Sequence, residues 1–223
     1  MENSLFSLML ISLKTKRNLR GENVILSKEE LLDAIAAEVV VCRKCELWKT
    51  RKNAVVGEGS PYSQIMLIGE APGYWEDIKG KPFVGAAGKF LDTLLSEASL
   101  SRENVFIGNV LKCKPPKNRE PLPNEIETCT PYLDKQIRVI QPKFIVTLGN
   151  HSTAYVFSKV ALQFYGITRV HGKFHEASFL GMQVAIFPTF HPAAALYSGR
   201  YKELLLQDFR LLKHRLIDQR FNM

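Results

Sequence analysis

QIMLIGEAPGYWEDIKGKPFVGAAG, the stretch at residues 64–88, decides the fold of this chain. Its first five residues form a short, mostly apolar run with the length and composition of a buried strand. The twenty residues that follow hold five glycines and two prolines, which exclude a long regular element. An amphipathic helix is predicted next, over residues 89–98, with apolar residues at helical spacing: Phe90, Leu91, Leu94 and Leu95. A strand, a long glycine-rich loop and a helix in this order predict a ligand site at the carboxyl end of a sheet.

The glycine-rich loop carries both carboxylates and aromatic rings, namely Glu70, Glu76, Asp77, Tyr74, Trp75 and Phe83. It has no lysine at the position that a phosphate-binding loop requires, which argues against a nucleotide triphosphate as the ligand. A solvated surface loop is the alternative. We disfavour it because several apolar rings would be left in water.

The rest of the chain alternates strands with helices. Further buried strands are predicted at residues 104–111, 143–148 and around 183–187. Helices are predicted to begin at the capping box of Ser27 and Glu30, at 123–124, at 149–151 and at 201. This alternation predicts an α/β fold with three α/β/α layers and a central, mainly parallel, four-stranded sheet. Residues 27–223 are expected to form a single domain, and residues 1–26 an N-terminal extension of unknown role.

Charge and composition limit the classes of partner. The chain of 223 residues has 30 basic against 22 acidic residues, a net charge of +8 that favours nucleic acid or another polyanion. The apolar run at residues 8–11 is far too short to span a bilayer, and its positive charges follow it, unlike those of a secretory signal. We therefore expect a cytoplasmic monomer with no membrane partner.

The four cysteines are arranged as the pair Cys42 and Cys45, followed by Cys113 and Cys129. In a reducing compartment, four cysteines with one close pair indicate a metal site more than two disulfides. A redox pair at Cys42 and Cys45, and two simply buried thiols at Cys113 and Cys129, are the alternatives. Spacing alone does not choose between zinc and an iron–sulfur cluster.

Three candidate site segments follow predicted strands: the glycine-rich loop, Asn109, and the pair His191 and Pro192. The carboxyl ends of parallel strands share one edge of a sheet, so these segments are expected to meet. The sequence here resembles the family 4 (iron–sulfur) uracil-DNA glycosylases over roughly residues 30–215. The resemblance lies in the order of its motifs: GEAPG at 69–73, Glu76 and Asp77, GKPFVG at 80–85, the cysteines, Asn109, the proline-rich loop, and HPAA at 191–194.

The resemblance implies a base-excision-repair hydrolase that flips uracil out of DNA and cleaves its N-glycosidic bond. It implies that Phe83 stacks on the base, that Asn109 pairs with its O4 and N3–H, and that His191 stabilises charge on its O2. Gly69 and Ala71 are expected to line the same pocket. We place Glu76 near C5 of the base, where it would exclude thymine, and Glu70 near the sugar or the water. The resemblance further implies a [4Fe–4S] cluster on the four cysteines, in preference to zinc.

The DNA contacts are expected to come from two segments. The proline-rich loop at 112–124 carries Lys112, Lys114, Lys117 and Arg119, and a rigid connector with solvated charges is its alternative interpretation. Related enzymes place a wedge leucine about four residues after the histidine, where this chain has Ala195, so Leu196, Tyr197 or Arg200 is expected to fill that role.

A second departure is Ala71, which stands where better-known uracil glycosylases carry a water-positioning aspartate. It leaves open which group positions the water. Two rival functions follow from the sequence: a non-catalytic iron–sulfur DNA-binding module, and a zinc-stabilised nuclease or esterase. The second is disfavoured because the loop has neither a serine nucleophile nor a carboxylate metal cluster.

Overall fold

The computed structural model describes residues 15–17 and 23–221. Its centre is a six-stranded sheet in the order β3-β5-β4-β6-β8-β7. The four inner strands, β5, β4, β6 and β8, are mutually parallel, and the edge strands β3 and β7 are antiparallel to their neighbours. The strands are β3 Glu58–Gly59, β4 Ile65–Gly69, β5 Val105–Asn109, β6 Phe144–Leu148, β7 His175–Phe179 and β8 Met182–Thr189.

Helices cover both faces of the sheet. They are α1 Lys28–Val40, α2 Tyr74–Lys79, α3 Ala86–Glu97, α4 Pro123–Ile140, α5 Asn150–Lys159, α6 Ile167–Val170 and α7 Gly199–Phe221. One apolar cluster joins α1, α4 and α5 to strand residues such as Met66 and Ile145. A second cluster joins α3 and α7 to the alternate strand residues, such as Leu67 and Val146. Because successive strand side chains point to opposite faces, the sheet separates two cores, and the fold has three layers.

The predicted architecture is confirmed, with one refinement of the strand count. All four predicted strands form the parallel centre of the sheet, within a few residues of their predicted ends. The two antiparallel edge strands were not predicted: β3 has only two residues, and β7 is half exposed along its length. The capping box of Ser27 and Glu30 opens α1 as predicted.

The N-terminal extension predicted for residues 1–26 lies mostly outside the described residues. Within it, β1 Thr15–Arg17 and β2 Asn23–Ile25 pair as a separate antiparallel ribbon. None of the helices in the described part of the chain is long and apolar enough to cross a membrane.

Candidate active site

A cavity of about 330 Å³ opens at the carboxyl ends of the parallel strands, within the size range of small-molecule sites. Four segments form it: the glycine-rich loop after β4, the end of β5, the proline-rich loop and the turn after β8. The structure thus brings the three predicted strand-end segments together. The residues predicted to contact the base, sugar or water that line the cavity are Glu70, Ala71, Glu76, Phe83, Asn109 and His191, and the predicted DNA contact Arg119 lines it too.

Asn109 is the last residue of β5 and is only 2% exposed. Its Oδ1 is buried and has no hydrogen-bond partner in the described part of the protein. A buried acceptor without a partner costs about 1–3 kcal/mol, so this atom favours a ligand that brings an N–H donor into the cavity.

Gly69 does not line the cavity itself but allows Asn109 and Phe83 to approach each other. A Cβ at this position would lie 2.3 Å from Asn109 Oδ1 and 2.7 Å from Phe83 Cζ. Both distances are far below van der Waals contact, so only glycine leaves these two side chains in place.

The backbone fixes Phe83 in an unusual conformation. Its φ of 52° lies in the left-handed region, which non-glycine residues rarely adopt. Glu76 Oε1 accepts hydrogen bonds from the next two amides, Val84 N at 2.8 Å and Gly85 N at 2.9 Å. Arg102 donates to the carbonyl oxygen of Phe83 from the other side. The ring is thereby held 5.6 Å from the His191 ring, with a 29° angle between the planes.

Glu76 therefore has two tasks in this loop, since it closes the turn around Phe83 and also lines the cavity. Asp77, the third carboxylate of the loop, is buried, and its Oδ1 accepts from the backbone amides of Lys52 and Asn53 at 2.8 and 3.3 Å. Its role is to anchor the loop to the preceding segment.

His191 is held as a neutral ring with one defined tautomer. Burial lowers its pKa to about 4, against a smaller opposite effect from Glu76. Its Nδ1 accepts a hydrogen bond from the amide of Ala193 at 3.2 Å, so the proton of the neutral ring is on Nε2. A neutral imidazole of this tautomer can donate a hydrogen bond to a ligand without carrying a charge.

Glu70 has a partner that sequence reasoning did not assign. Its Oε2 lies 2.7 Å from Nδ1 of His151, the second residue of α5. His151 was not among the site residues predicted from the sequence. The sequence did contain a signal for His151, because it lies directly after β6. The same strand-end rule had located candidate site residues after the other three strands.

The four cysteines line one separate cavity. Cys42 and Cys45 follow α1, Cys113 follows β5, and Cys129 lies in α4. All four are free thiols, and burial raises the pKa of Cys129 to about 12. Two N–H groups point at sulfurs: Arg51 Nη1 lies 3.0 Å from Cys113 Sγ, and the amide of Lys112 lies 3.2 Å from Cys129 Sγ.

Within the described residues, no group of three or more His, Cys, Asp or Glu is arranged to hold a single metal ion. Tetrahedral zinc with sulfur at about 2.3 Å would require its ligands to lie within about 4 Å of one another.

The proline-rich loop forms part of the lining of the active-site cavity, through Pro115, Asn118 and Arg119. Both terminal nitrogens of Arg119 bond to the buried carboxylate of Glu125, at 2.9 and 2.6 Å. Lys117 is exposed and Lys114 is half-buried.

Lys112 was expected on an exposed loop, but this expectation is wrong, since its side chain is buried and only 1% exposed. Its Nζ donates to the carbonyl oxygen of Asn109 at 3.0 Å and to Gln136 Oε1 at 2.7 Å. Burial lowers its pKa to about 8.

The turn after His191 presents the candidate wedge residues to solvent. Leu196, Tyr197 and Arg200 are exposed, whereas Ala195 packs against the second core. Among the residues whose side chains are described, Tyr197 is the most exposed large apolar one, at 88%. Which of them enters DNA stays a prediction.

The comparisons with known proteins agree with this geometry. The family model described as "Uracil DNA glycosylase superfamily" matches residues 56–210. A Type-4 uracil-DNA glycosylase of Saccharolobus solfataricus is 54% identical over 83% of this chain and 86% of its own length. Enzymes of the same name from Sulfurisphaera tokodaii and Archaeoglobus fulgidus are 51% and 46% identical, over 82% and 81% of this chain and 83% and 91% of their own lengths.

Proposed function

We propose that this chain removes uracil from DNA by hydrolysing the bond between the base and deoxyribose. The chain belongs to the uracil DNA glycosylase superfamily. The observation that carries this proposal is the buried Oδ1 of Asn109, which has no hydrogen-bond partner among the described residues and lies at a cavity that also contains Phe83 and His191. Uracil supplies the N3–H donor that this acceptor lacks. Cytosine has an acceptor at N3, so the amide as placed disfavours it.

In the proposed reaction the uracil ring stacks on Phe83 and pairs with Asn109. The C1′–N1 bond breaks with its electron pair on the base, and the charge that develops on O2 receives a hydrogen bond from Nε2–H of His191. A water oxygen then forms the new bond to C1′. The carboxylate of Glu70 stabilises the positive charge on the sugar and accepts the proton of that water. Glu76, which faces the same cavity, is proposed to exclude the methyl group of thymine.

The test of this function is incubation of the purified protein with a single-uracil oligonucleotide, beside thymine and cytosine controls, followed by alkali. Cleavage only of the uracil strand is expected. Binding without cleavage would favour the non-catalytic DNA-binding module instead. The same panel applied to Glu76→Ala tests thymine exclusion, because a variant that still rejects thymine removes that role.

DNA is the proposed partner because of the excess positive charge and because Lys117, Leu196 and Arg200 are exposed. Lys114 and Arg119 are proposed to contact the phosphates from the proline-rich loop. Affinity for DNA is expected to fall steeply with salt.

We further propose that the four cysteines hold a [4Fe–4S] cluster. The shared cavity, the two N–H donors to sulfur, and the nearby positive charges of Lys44, Arg51 and Lys112 all suit a negatively charged cluster. Such a cluster would tie α1 to α4 and to the start of the proline-rich loop, and its contribution there would be to folding stability.

Replacing Cys129 with alanine is expected to remove the cluster and lower the melting temperature. The measurements are visible absorbance, iron and sulfide content, and thermal unfolding. Thr128→Ala is the matched control, because Thr128 lines the same cavity without a thiol and is expected to keep the cluster. Purified wild-type protein with one zinc and no sulfide per chain would contradict the assignment.

The pH dependence of base release is expected to follow the lowered pKa of His191. The ring is neutral above about pH 5, so its protonation is expected to cost no activity between about pH 8 and about pH 5.5, and to cost activity as the pH approaches 4. The unfolded chain binds this proton more tightly, with an ordinary pKa of 6.5. The same ring therefore lowers the free energy of unfolding as the pH falls from 6.5 towards 4.

Single-turnover rates across this pH range check the prediction. His191→Gln keeps an N–H donor but does not titrate here, so it serves as the comparison. A loss of activity centred at about pH 6.5 that disappears in His191→Gln would contradict the neutral ring.

A further inference from the structure

The pair formed by Glu70 and His151 combines a cavity-lining carboxylate with a ring supplied by a different strand–helix unit. Glu70 directly follows β4 and lines the active-site cavity. His151 comes from the start of α5, after β6, and its Nδ1 lies 2.7 Å from Glu70 Oε2. Both side chains are partly exposed, at 33% for Glu70 and 25% for His151, as expected at the edge of an open cavity.

The backbone around His151 is fixed relative to the catalytic ring of His191. The amide of Gly149 donates to the carbonyl oxygen of Thr189 at 2.9 Å, which joins the end of β6 to the end of β8. Gly149 has a φ of +96°, and a Cβ there would lie 3.1 Å from the Cβ of His191. His151, two residues later, is therefore placed by the same contact that places His191.

The hydrogen bond determines which oxygen of Glu70 is available. A glutamate side chain has three rotatable bonds and is mobile unless a partner restrains it. Nδ1–H of His151 occupies Oε2, so Oε1 is the oxygen left for water or sugar. The neighbouring Ala71 supplies no carboxylate, which makes the orientation of Glu70 more important than it would otherwise be.

We propose that His151 is the positioning residue for Glu70, holding its free oxygen towards the water that attacks C1′. This inference rests on the proposed glycosylase function. In the step concerned, the water oxygen bonds to C1′, the C1′–N1 pair of electrons leaves with uracil, and the water's proton passes to Glu70. His151 touches neither the base nor the sugar and acts only through the carboxylate.

The test is a double-mutant cycle on the single-turnover rate of uracil release, using His151→Ala, Glu70→Ala and the double variant. His151→Ala is expected to slow release by about tenfold to about a hundredfold, the range for a misplaced reacting group, with KM unchanged. His151→Asn keeps an N–H donor near the position of Nδ1 and is expected to recover most of the rate. The double variant is expected to be no slower than Glu70→Ala alone.

The exposed His214→Ala on α7 is the matched control and is expected to keep the wild-type rate. Thermal unfolding of each variant separates positioning from folding. A wild-type rate in His151→Ala, or a double variant slowed by the product of the two single effects, would overturn the inference. If wild-type protein releases no uracil at all, the proposed function falls first and this role falls with it.

Discussion

Asn109→Ala is expected to slow uracil release by roughly 30-fold to roughly 10⁴-fold. The range follows from two polar groups of the base, O4 and N3–H, left unpaired in a dry pocket at about 1–3 kcal/mol each. Stability is not expected to suffer comparably, because the buried Oδ1 of Asn109 has no protein partner in the described residues and its removal breaks no bond there. Loss of activity without loss of folding is therefore the signature of a recognition residue.

The measurement is the single-turnover rate on a uracil oligonucleotide, together with the affinity for DNA that contains an abasic site. The affinity is expected to stay at the wild-type value, since an abasic site presents no base to Asn109. Asn124→Ala is the matched control, because Asn124 is exposed at the start of α4. A variant that releases uracil as fast as the wild type would remove Asn109 from recognition.

Gly69→Ala is expected to reduce uracil release by about a hundredfold or more. The added methyl group would stand 2.3 Å from Asn109 Oδ1 and 2.7 Å from Phe83 Cζ, so the stacking ring and the pairing amide must both move. A displacement of about 1 Å in a reacting complex costs rates of this order. Overpacking is expected to lower the free energy of unfolding by about 1–3 kcal/mol, which leaves a domain of ordinary stability folded.

Rates and thermal unfolding measured on the same sample separate the two effects. Gly199→Ala is the control, since nothing lies within 4 Å of a Cβ at that position and its φ is ordinary. It is expected to keep both the rate and the melting temperature. Full activity in Gly69→Ala would mean that the pocket tolerates a shift of Asn109 and Phe83.

The sequence predicted the parallel centre of the fold because its buried strands are continuous apolar runs bounded by turn residues. It did not predict β3 or β7, because two residues ending in Gly59 and a half-exposed edge strand give little periodic signal. The prediction that residues after parallel strands meet at one edge of the sheet placed Asn109 and His191 at the same cavity, where the structure has them. The topology of the sheet alone brings them together.

Other features of the site depend on contacts between distant segments. The link from His151 to Glu70 spans 81 positions, and the support of Phe83 by Arg102 spans 19. Lys112 was interpreted as a surface charge because of its proline-rich neighbours. Its burial depends on Gln136 of α4, which no local pattern indicates.

Lys112, the buried lysine, forms hydrogen bonds both to the cysteine site and to the end of β5. Its amide donates to Cys129 Sγ, and its ammonium group donates to the backbone carbonyl oxygen of Asn109, so one residue links the cysteine site to the end of β5 at the active-site cavity. We therefore expect the occupancy of the cysteine site and the correct placement of Asn109 in the pocket to depend on each other. We expect a chain whose cysteine site is empty to release uracil more slowly than a filled one, so activity per molecule would rise with the filling of that site in a preparation.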